Sequence, residues 1–239
     1  MVMYNDIVSI YDEIFPLNQS FLQFLQDYLE DQTLKILDLG CGPGGYVDLL
    51  SRLGHDVVGI DSSTEMIKKA QSEAMGTFYP LSFTEIRQLG REYDLIFCIG
   101  NSLSYLPNIS LRTFFEDVYF LMRADGNFIL QVVNWDKFKV VGTSDFEVKT
   151  LSSDRSFHRR YESGDGEAVI FHTKLLKGDE VLGTWTDPLY PKRVNDLRSK
   201  ARVAGWRNIV FYGDFEKSAH KVASSPATIM TMKKGKVPK

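Results

Sequence analysis

The chain has little of what marks several classes of protein. It contains only two cysteines, Cys41 and Cys98, in 239 residues, so a disulfide scaffold is excluded and two free thiols of a cytoplasmic protein are expected. No apolar run approaches the roughly 18 residues of a membrane span. The N-terminus also lacks the basic and apolar regions of a signal peptide. We therefore expect no membrane association.

An excess of positive charge is absent as well. Lys and Arg number 28 against 31 Asp and Glu, which leaves a net charge of −3. Surfaces that bind nucleic acid carry clustered basic residues, so no nucleic-acid partner is expected. The four histidines and two cysteines show no metal-ligand spacing, and we expect no metal. What is present, 44% hydrophobic and 25% charged residues, suits a globular domain with a full core.

Short apolar runs alternate with helical patterns along most of the chain. This order predicts a parallel sheet with helices on both faces. Two further runs near the C-terminus, "RNIVFYGDF" and "ATIMTMKK", would close the sheet as an antiparallel pair. The fold class is therefore α/β, a Rossmann-like, doubly wound, mostly parallel seven-stranded sheet with an antiparallel last strand. The first five strands are predicted over 34–40, 55–61, 76–83, 93–100 and 127–135.

Segments outside this alternation predict two additions. Two amphipathic helices are expected within residues 4–30, separated at Pro16. Strand-like runs within residues 145–186, with "SGDG" and "KGDE" as turns, predict an antiparallel meander. We divide the chain into an N-terminal helical lid, a Rossmann-like domain, and an inserted meander that covers substrate or makes a dimer contact. Their predicted ranges are 1–32, then 33–137 with 188–239, and 138–187.

A glycine-rich loop, "GCGPGG", follows the first predicted strand. Gly40, Gly42 and Gly45 satisfy G-x-G-x-x-G, which favours a dinucleotide and an NAD-dependent oxidoreductase, while a plain tight turn is the simpler alternative. Asp38, two residues before Gly40, argues against phosphates, because its carboxylate would repel them at close range. A carboxylate at this point suits an ammonium group instead.

Asp61 ends the second predicted strand, about 20 residues after the loop, where an acidic side chain can accept both ribose hydroxyls. It could instead cap the next helix, although Ser62 or Ser63 can do so, and Ser62 with Glu65 has capping-box spacing. A ligand with a ribose and an amino-acid head group, but no phosphate, describes S-adenosylmethionine.

Three segments in order, "ILDLGCGPGG", "VVGIDSSTEMI" and "YDLIFCIGNSLSYL", resemble the class I S-adenosylmethionine-dependent methyltransferases. Their motif D/E-x-G-x-G-x-G is matched by Asp38, Gly40, Gly42 and Gly44. "GNSLS" is similar to enzymes that act on small amines, such as glycine or amino-sugar N-methyltransferases. The resemblance implies S-adenosylmethionine as the cofactor and a small-molecule methyl acceptor, methylated at nitrogen more often than oxygen. It implies a monomer or a homodimer.

The resemblance also implies where the cofactor lies. Its methionine portion would contact Asp38 and the glycine loop, its ribose Asp61, and its adenine Met66. The family often has an Asp at the end of the third strand; here Ser82 falls closest, with Glu85 as an alternative. The full set expected to bind the cofactor is Tyr11, Asp38, Gly40, Cys41, Gly42, Gly44, Asp61, Ser62, Met66, Ser82, Phe83, Cys98, Ile99 and Gly100.

Methyl transfer from a sulfonium is an in-line displacement, so alignment comes first and a base is needed only for a protonated acceptor. The candidates for catalysis are Tyr11, Asn101, Tyr105, His158 and His172. The candidates for substrate contact are Asn101, Tyr105, Asn134 and Trp135, at the carboxyl edge of the sheet. Ordinary packing or surface roles stay open for each of them. A protein methyltransferase and a non-catalytic cofactor-binding domain remain alternatives.

Overall fold

The structure, a computed structural model, describes residues 2–29, 32–90, 92–138 and 143–235. Its strands are β1 Lys35–Leu39, β2 Asp56–Ile60, β3 Thr77–Tyr79, β4 Tyr93–Cys98, β5 Met122–Val133, β6 Thr143–Asp145, β7 Lys149–Leu151, β8 Arg155–Ser163, β9 Val169–Lys177, β10 Glu180–Leu189, β11 Arg207–Tyr212 and β12 Ala227–Lys233. Its α-helices are α1 Val2–Asp6, α2 Tyr11–Ile14, α3 Gln19–Leu25, α4 Gly45–Arg52, α5 Thr64–Glu73, α6 Leu111–Leu121 and α7 Val194–Val203. Short 3-10 helices cover Val8–Ile10, Gln26–Tyr28, Ile86–Leu89, Ser102–Tyr105 and Asn108–Ser110.

The larger sheet has seven strands in the order β11-β12-β5-β4-β1-β2-β3. The first five strands pair in parallel, and β12 lies antiparallel between β5 and β11. This confirms the expected fold class. The chain leaves β1 for β2 on one side and returns to β4 on the other, so the strand order reverses between β1 and β4. In open α/β sheets, ligands bind at the carboxyl ends of the strands beside such a reversal.

Helices cover both faces of this sheet, because successive strand residues point to opposite faces. On one face, Leu37 packs with Phe114 of α6 and Leu197 of α7. On the other, Ile36 packs with Phe21 of α3 and Val47 of α4. Because the central strands are buried on both faces, their sequences are continuous apolar runs.

The second sheet is antiparallel, in the order β10-β9-β8-β6 with β7 also paired to β8. It confirms the expected meander, although the run at 145–151 forms parts of two strands with 146–148 outside both. The predicted insertion also includes 139–142, which lie outside the described residues. Phe157 and Leu175 of this sheet pack against Met3, Ile7 and Ile14. The inserted sheet therefore lies on residues 2–15, which we call the N-terminal segment.

Two local predictions are wrong, and a third point that the sequence left open is settled. The two helices expected over 4–30 are a series of short α and 3-10 turns, because the apolar residues of the N-terminal segment are held by tertiary packing more than by helix regularity. The helix predicted over 111–126 ends at Leu121, and β5 begins at Met122, with an irregularity where Asp125 has φ +64°. Of the two serines predicted as the cap of α5, Ser63 is the cap, since its Oγ accepts the Met66 N–H at 3.2 Å.

Candidate active site

A cavity of about 550 Å³ lies at the carboxyl edge of the larger sheet. Its volume falls within the roughly 300–1,000 Å³ of small-molecule sites. The loop after β1, the ends of β2 and β4, and the N-terminal segment supply its walls. Of the residues predicted from sequence, those that line it are Tyr11, Asp38, Gly40, Cys41, Gly42, Asp61, Ser62, Met66, Ser82, Phe83, Ile99, Gly100 and Tyr105.

The backbone amides of the glycine loop are bonded within the protein. The Ile60 carbonyl accepts the N–H groups of Gly40 at 2.8 Å and Cys41 at 2.9 Å. The Gly42 N–H donates to Asp61 Oδ2 at 3.0 Å. A pyrophosphate cradle needs free amide donors at this place. The amides of Gly40, Cys41 and Gly42 are therefore not free to bind a pyrophosphate.

Gly44 has a role in packing. It precedes α4 with φ +88°, in the left-handed region, and a Cβ there would lie 2.7 Å from the Phe78 ring. The close approach of α4 to β3 and α5 therefore requires glycine. Gly44 does not line the cavity.

Asp38 is the most unusual group in the cavity wall. It is 2% exposed, and its Oδ2 has no hydrogen-bond partner among the described residues. Burial, with a contribution from Asp61, raises the pKa of Asp38 well above its usual range. An unpartnered buried carboxylate is costly, and a cationic ligand in the cavity would relieve that cost. The site thus fits the ammonium group of S-adenosylmethionine.

Asp61 links the loop to the start of α5. Its Oδ1 accepts the Ser63 N–H at 2.8 Å, while its Oδ2 accepts the Gly42 N–H. Burial raises the pKa of Asp61, and these two hydrogen bonds oppose the rise. Each carboxylate oxygen has a second lone pair, so the side chain can still accept ribose hydroxyls from the cavity. The free acceptor positions of Asp61 therefore fit the cofactor's ribose.

The wall predicted for adenine is mostly apolar. Met66 is 1% exposed, and Phe83 packs edge-on against Phe114 with ring centroids 5.5 Å apart. The Ser82 hydroxyl and N–H both donate to Glu85, at 2.5 and 2.9 Å. Those two polar groups are therefore already engaged, and Glu85 is exposed and outside the lining.

Two tyrosines from the sequence prediction face the cavity. Tyr11 lies directly on the loop, with its hydroxyl 3.2 Å from the position of a Cβ on Gly42. Burial raises the pKa of Tyr11, so its phenol stays protonated. Tyr105 donates its hydroxyl hydrogen to Tyr4 at 3.2 Å.

Several predicted residues do not line the cavity. Asn134 is fully buried, and its Nδ2 donates to the backbone carbonyls of Val222 and Ser225, both at 3.0 Å. The Trp135 Nε1 donates to Ser104 Oγ at 2.9 Å, within the core. Asn101 accepts from Ser104 Oγ at 2.7 Å and from the Val133 N–H at 3.0 Å. These contacts brace the turns after β4 and β5, and they leave substrate contact by Asn134 and Trp135 without support.

The remaining candidates are also outside the cavity lining. His158 lies 3.0 Å from Ser156 and His172 2.8 Å from Glu162, both on the inserted sheet. Cys98 is a fully buried free thiol whose pKa burial raises, which disfavours a thiolate nucleophile. Among the described residues no group of His, Cys, Asp or Glu could hold a metal ion. The helices of the described residues all fall short of the length and hydrophobicity of a membrane span.

Sequence reasoning missed other residues of the wall, among them Tyr4, Ser102, Leu106, Gln131 and Lys149. Gln131 carried a signal, since it is a polar residue inside the apolar run of a predicted strand. Lys149 carried none, because its place depends on how the inserted sheet folds back over the N-terminal segment.

The chain is similar in sequence to known methyltransferases. A family model described as a methyltransferase domain matches residues 36–126. The glycine/sarcosine N-methyltransferase of Halorhodospira halochloris is 27% identical over 81% of this chain and 73% of its own length. The glycine/sarcosine/dimethylglycine N-methyltransferase of Actinopolyspora halophila is 27% identical over 77% of this chain, which spans only 33% of that longer protein.

A solved structure extends the likeness to the whole fold. The S-adenosylmethionine-dependent methyltransferase from Clostridium acetobutylicum ATCC 824 superposes with a TM-score of 0.78 at 16% identity, covering 98% of this chain and 100% of that one. The fold is thus the Rossmann-like methyltransferase fold, with its cavity at the carboxyl edge of the sheet. The matched domain and the relatives support an S-adenosylmethionine-dependent methyltransferase, and the chain is similar to the class I enzymes of that kind. This confirms the resemblance and the enzyme class predicted from the sequence.

Proposed function

We propose that the chain transfers the methyl group of S-adenosylmethionine to the nitrogen of a small-molecule acceptor. When bound, the cofactor supplies an electrophilic methyl group on a sulfonium. The observation that carries the proposal is that Asp38 and Asp61 share one cavity of about 550 Å³ with the ends of β4 and β5. The N-terminal segment forms a wall of the same cavity, which leaves space beside a cofactor for a small acceptor only.

Each part of the wall has a task in this proposal. Asp38 holds the ammonium group, and Asp61 holds the ribose hydroxyls. Tyr4 and Tyr105, which stay protonated because burial raises the pKa of each hydroxyl, orient the acceptor for in-line attack. The inserted sheet acts as a substrate cover, and Lys149 of β7 is its contribution to the wall.

Two features favour nitrogen over oxygen as the methylated atom. No histidine lies among the described residues that line the cavity; an alcohol must lose its proton as it attacks, whereas an amine in its neutral form attacks with its own lone pair. The lining carries Asp12, Asp38 and Asp61 against the single lysine Lys149 among the described residues, so its charge favours amines. The relatives' names, glycine/sarcosine N-methyltransferases, support the same choice.

The test offers the purified chain labelled S-adenosylmethionine with matched panels of small amines and alcohols. We expect methylated amines and S-adenosylhomocysteine as products. Asp61→Ala should lose cofactor affinity and turnover, whereas Asp179→Asn, at an exposed turn acid outside the cavity, should behave as the wild type.

Two other outcomes would contradict the proposed reaction, and a third would contradict the role of Asp61. Label incorporated into proteins of a lysate, with none in any small amine, would indicate a protein methyltransferase. Tight cofactor binding with no transfer to any acceptor would indicate a non-catalytic domain. Turnover unaffected by Asp61→Ala would remove the ribose assignment.

A further inference from the structure

Gln131 lies near the carboxyl end of β5 and lines the cavity. It pairs with Ile229 of β12 and follows the fully buried Leu130. A polar side chain in this apolar strand is not needed for the core, and the cofactor assignments above do not use it. Its chemistry therefore requires a separate explanation.

One hydrogen bond determines which way the Gln131 carboxamide points. The Gly100 N–H donates to Gln131 Oε1 at 2.6 Å. A backbone N–H can only donate, so the amide oxygen must face Gly100 and the amide nitrogen must face away from it. Gly100 has φ +72° at the end of β4, in the left-handed region, and this conformation directs its N–H toward β5.

The amide nitrogen is left as a free donor. Nε2 has no hydrogen-bond partner within the part of the chain that the structure describes, whereas Oε1 is engaged. The charged donor of the same cavity, Lys149, gives a hydrogen to the Ile14 carbonyl at 2.5 Å. At the β4–β5 edge, Gln131 thus supplies a neutral N–H donor to a cavity that is also lined by the apolar residues Ile99 and Leu106.

We propose that Gln131 determines acceptor specificity, its Nε2 donating to an oxygen carried by the amine that is methylated. The acceptor class is then an amine with a carboxylate or hydroxyl on a nearby carbon, rather than a plain alkylamine. This inference rests on the proposed function. It adds, to the amine nitrogen that is methylated, an oxygen of the same molecule as a second group that the protein recognises. A carboxylate or hydroxyl oxygen held by Nε2 would hold the neighbouring nitrogen in one orientation for attack.

The test uses glycine, ethanolamine and ethylamine, which share an amine and differ in carrying a carboxylate, a hydroxyl or a methyl group. Gln131→Glu is the decisive variant, because a carboxylate still accepts the Gly100 N–H but has no donor to offer. Gln88→Glu makes the same exchange at an exposed position outside the cavity. Turnover is measured with labelled cofactor, and acceptor binding is measured calorimetrically on protein saturated with S-adenosylhomocysteine.

We expect the wild type to prefer the oxygen-bearing amines. Gln131→Glu should lower kcat/KM for ethanolamine about tenfold, the loss of one hydrogen bond, and lower it further for glycine through like charge. Ethylamine turnover and cofactor affinity should stay unchanged, as should every value for Gln88→Glu. A preference for glycine over ethanolamine would identify a carboxylate as the recognised group, and the reverse a hydroxyl.

Failure of this inference is distinct from failure of the proposed function. Amines methylated without preference for those bearing oxygen, or with equal losses for all three in Gln131→Glu, would overturn the role of Gln131 alone. Absence of both binding and methylation for all three amines would overturn this inference, and transfer to proteins instead would overturn the proposed function with it.

Discussion

The Tyr105 hydroxyl donates to the Tyr4 hydroxyl at 3.2 Å and so joins the turn after β4 to α1 across the cavity wall. Their rings meet edge-on with centroids 5.8 Å apart. Burial raises the pKa of Tyr4 to about 12. Both phenols therefore remain neutral near neutral pH, and the Tyr4 hydrogen is free to be donated to a ligand.

Removing the Tyr105 hydroxyl should lower turnover of the methyl acceptor and leave the affinity for the cofactor unchanged. We expect Tyr105→Phe to lower kcat/KM for the amine about tenfold, since one hydrogen bond to the pair is lost. Cofactor affinity, measured by calorimetry, should stay within twofold of wild type by the same reasoning. Tyr79→Phe is the matched control, because Tyr79 is 42% exposed and outside the lining. Equal losses in both variants, or a loss confined to cofactor affinity, would contradict this role.

Asp38 should make the free protein less stable at neutral pH while serving the cofactor. Its pKa in the folded state is raised above 3.8 by burial, so the folded state holds its proton more tightly than the unfolded chain does. The contribution of Asp38 to the stability of the folded state is then greatest below pH 3.8 and is lost as the pH rises through the folded-state pKa. Asp38→Asn removes this dependence in nearly the same volume.

We therefore expect Asp38→Asn to raise the melting temperature of the cofactor-free protein at neutral pH, with a gap from wild type that shrinks as the pH falls. S-adenosylmethionine should stabilise the wild type and not the variant. Thermal melts over a pH series, with and without cofactor, measure both effects. Stabilisation of both proteins by the cofactor would show that Asp38 does not hold its ammonium group.

Much of this fold and cofactor wall could be predicted from the sequence, because the signals are local. A strand that ends in "DLG" and a second that ends in Asp61 place two carboxylates at one sheet edge by topology alone. The residues that contact the methyl acceptor were harder to predict from the sequence. Asn134 and Trp135 are at the expected edge, yet their side chains turn into the core, and strand periodicity does not continue past Val133 to indicate this.

The contacts that sequence reasoning missed are between residues distant in the chain. The Gly100–Gln131 bond spans 31 positions and Tyr4–Tyr105 spans 101. No periodicity or motif records such pairs. They depend on the register of β4 against β5 and on the packing of the N-terminal segment against the inserted sheet, which tertiary structure alone determines.

Alanine substitutions at Gly40 and Gly54 distinguish two costs in the free energy of unfolding, that of a left-handed backbone conformation and that of a close contact with a neighbouring side chain. Both are left-handed, with φ +86° and +94°, but a Cβ on Gly40 would lie 2.9 Å from Ser102 while one on Gly54 meets nothing within 4 Å. We expect Gly54→Ala to lose about 1 kcal/mol in the free energy of unfolding, from conformation alone. Gly40→Ala should lose more and should also bind cofactor more weakly. Denaturant unfolding and calorimetry measure the two, and equal behaviour of the variants would show that the Ser102 contact is unimportant.

The N-terminal segment is held from two sides, and this hold should set the rate at which ligands leave. Ser63 at the start of α5 donates to Asn5 at 2.6 Å, and Trp185 of the inserted sheet donates its Nε1 hydrogen to Asp6 at 2.7 Å. The same segment carries Tyr4 and Tyr11 of the cavity wall. We expect a ligand bound beneath these tyrosines to leave when the segment moves away, with each hydrogen bond raising the barrier to that motion.

Asp6→Ala removes one of these bonds without touching the cavity. We expect S-adenosylhomocysteine to dissociate several-fold faster, about the change that one partly exposed hydrogen bond supports, with a smaller change in equilibrium affinity. Stopped-flow displacement of bound S-adenosylhomocysteine by excess S-adenosylmethionine measures the rate. Glu180→Ala, an exposed acid on the same strand as Trp185, controls for the charge removed. If Asp6→Ala and Glu180→Ala both release the product at the wild-type rate, movement of the N-terminal segment does not limit product release.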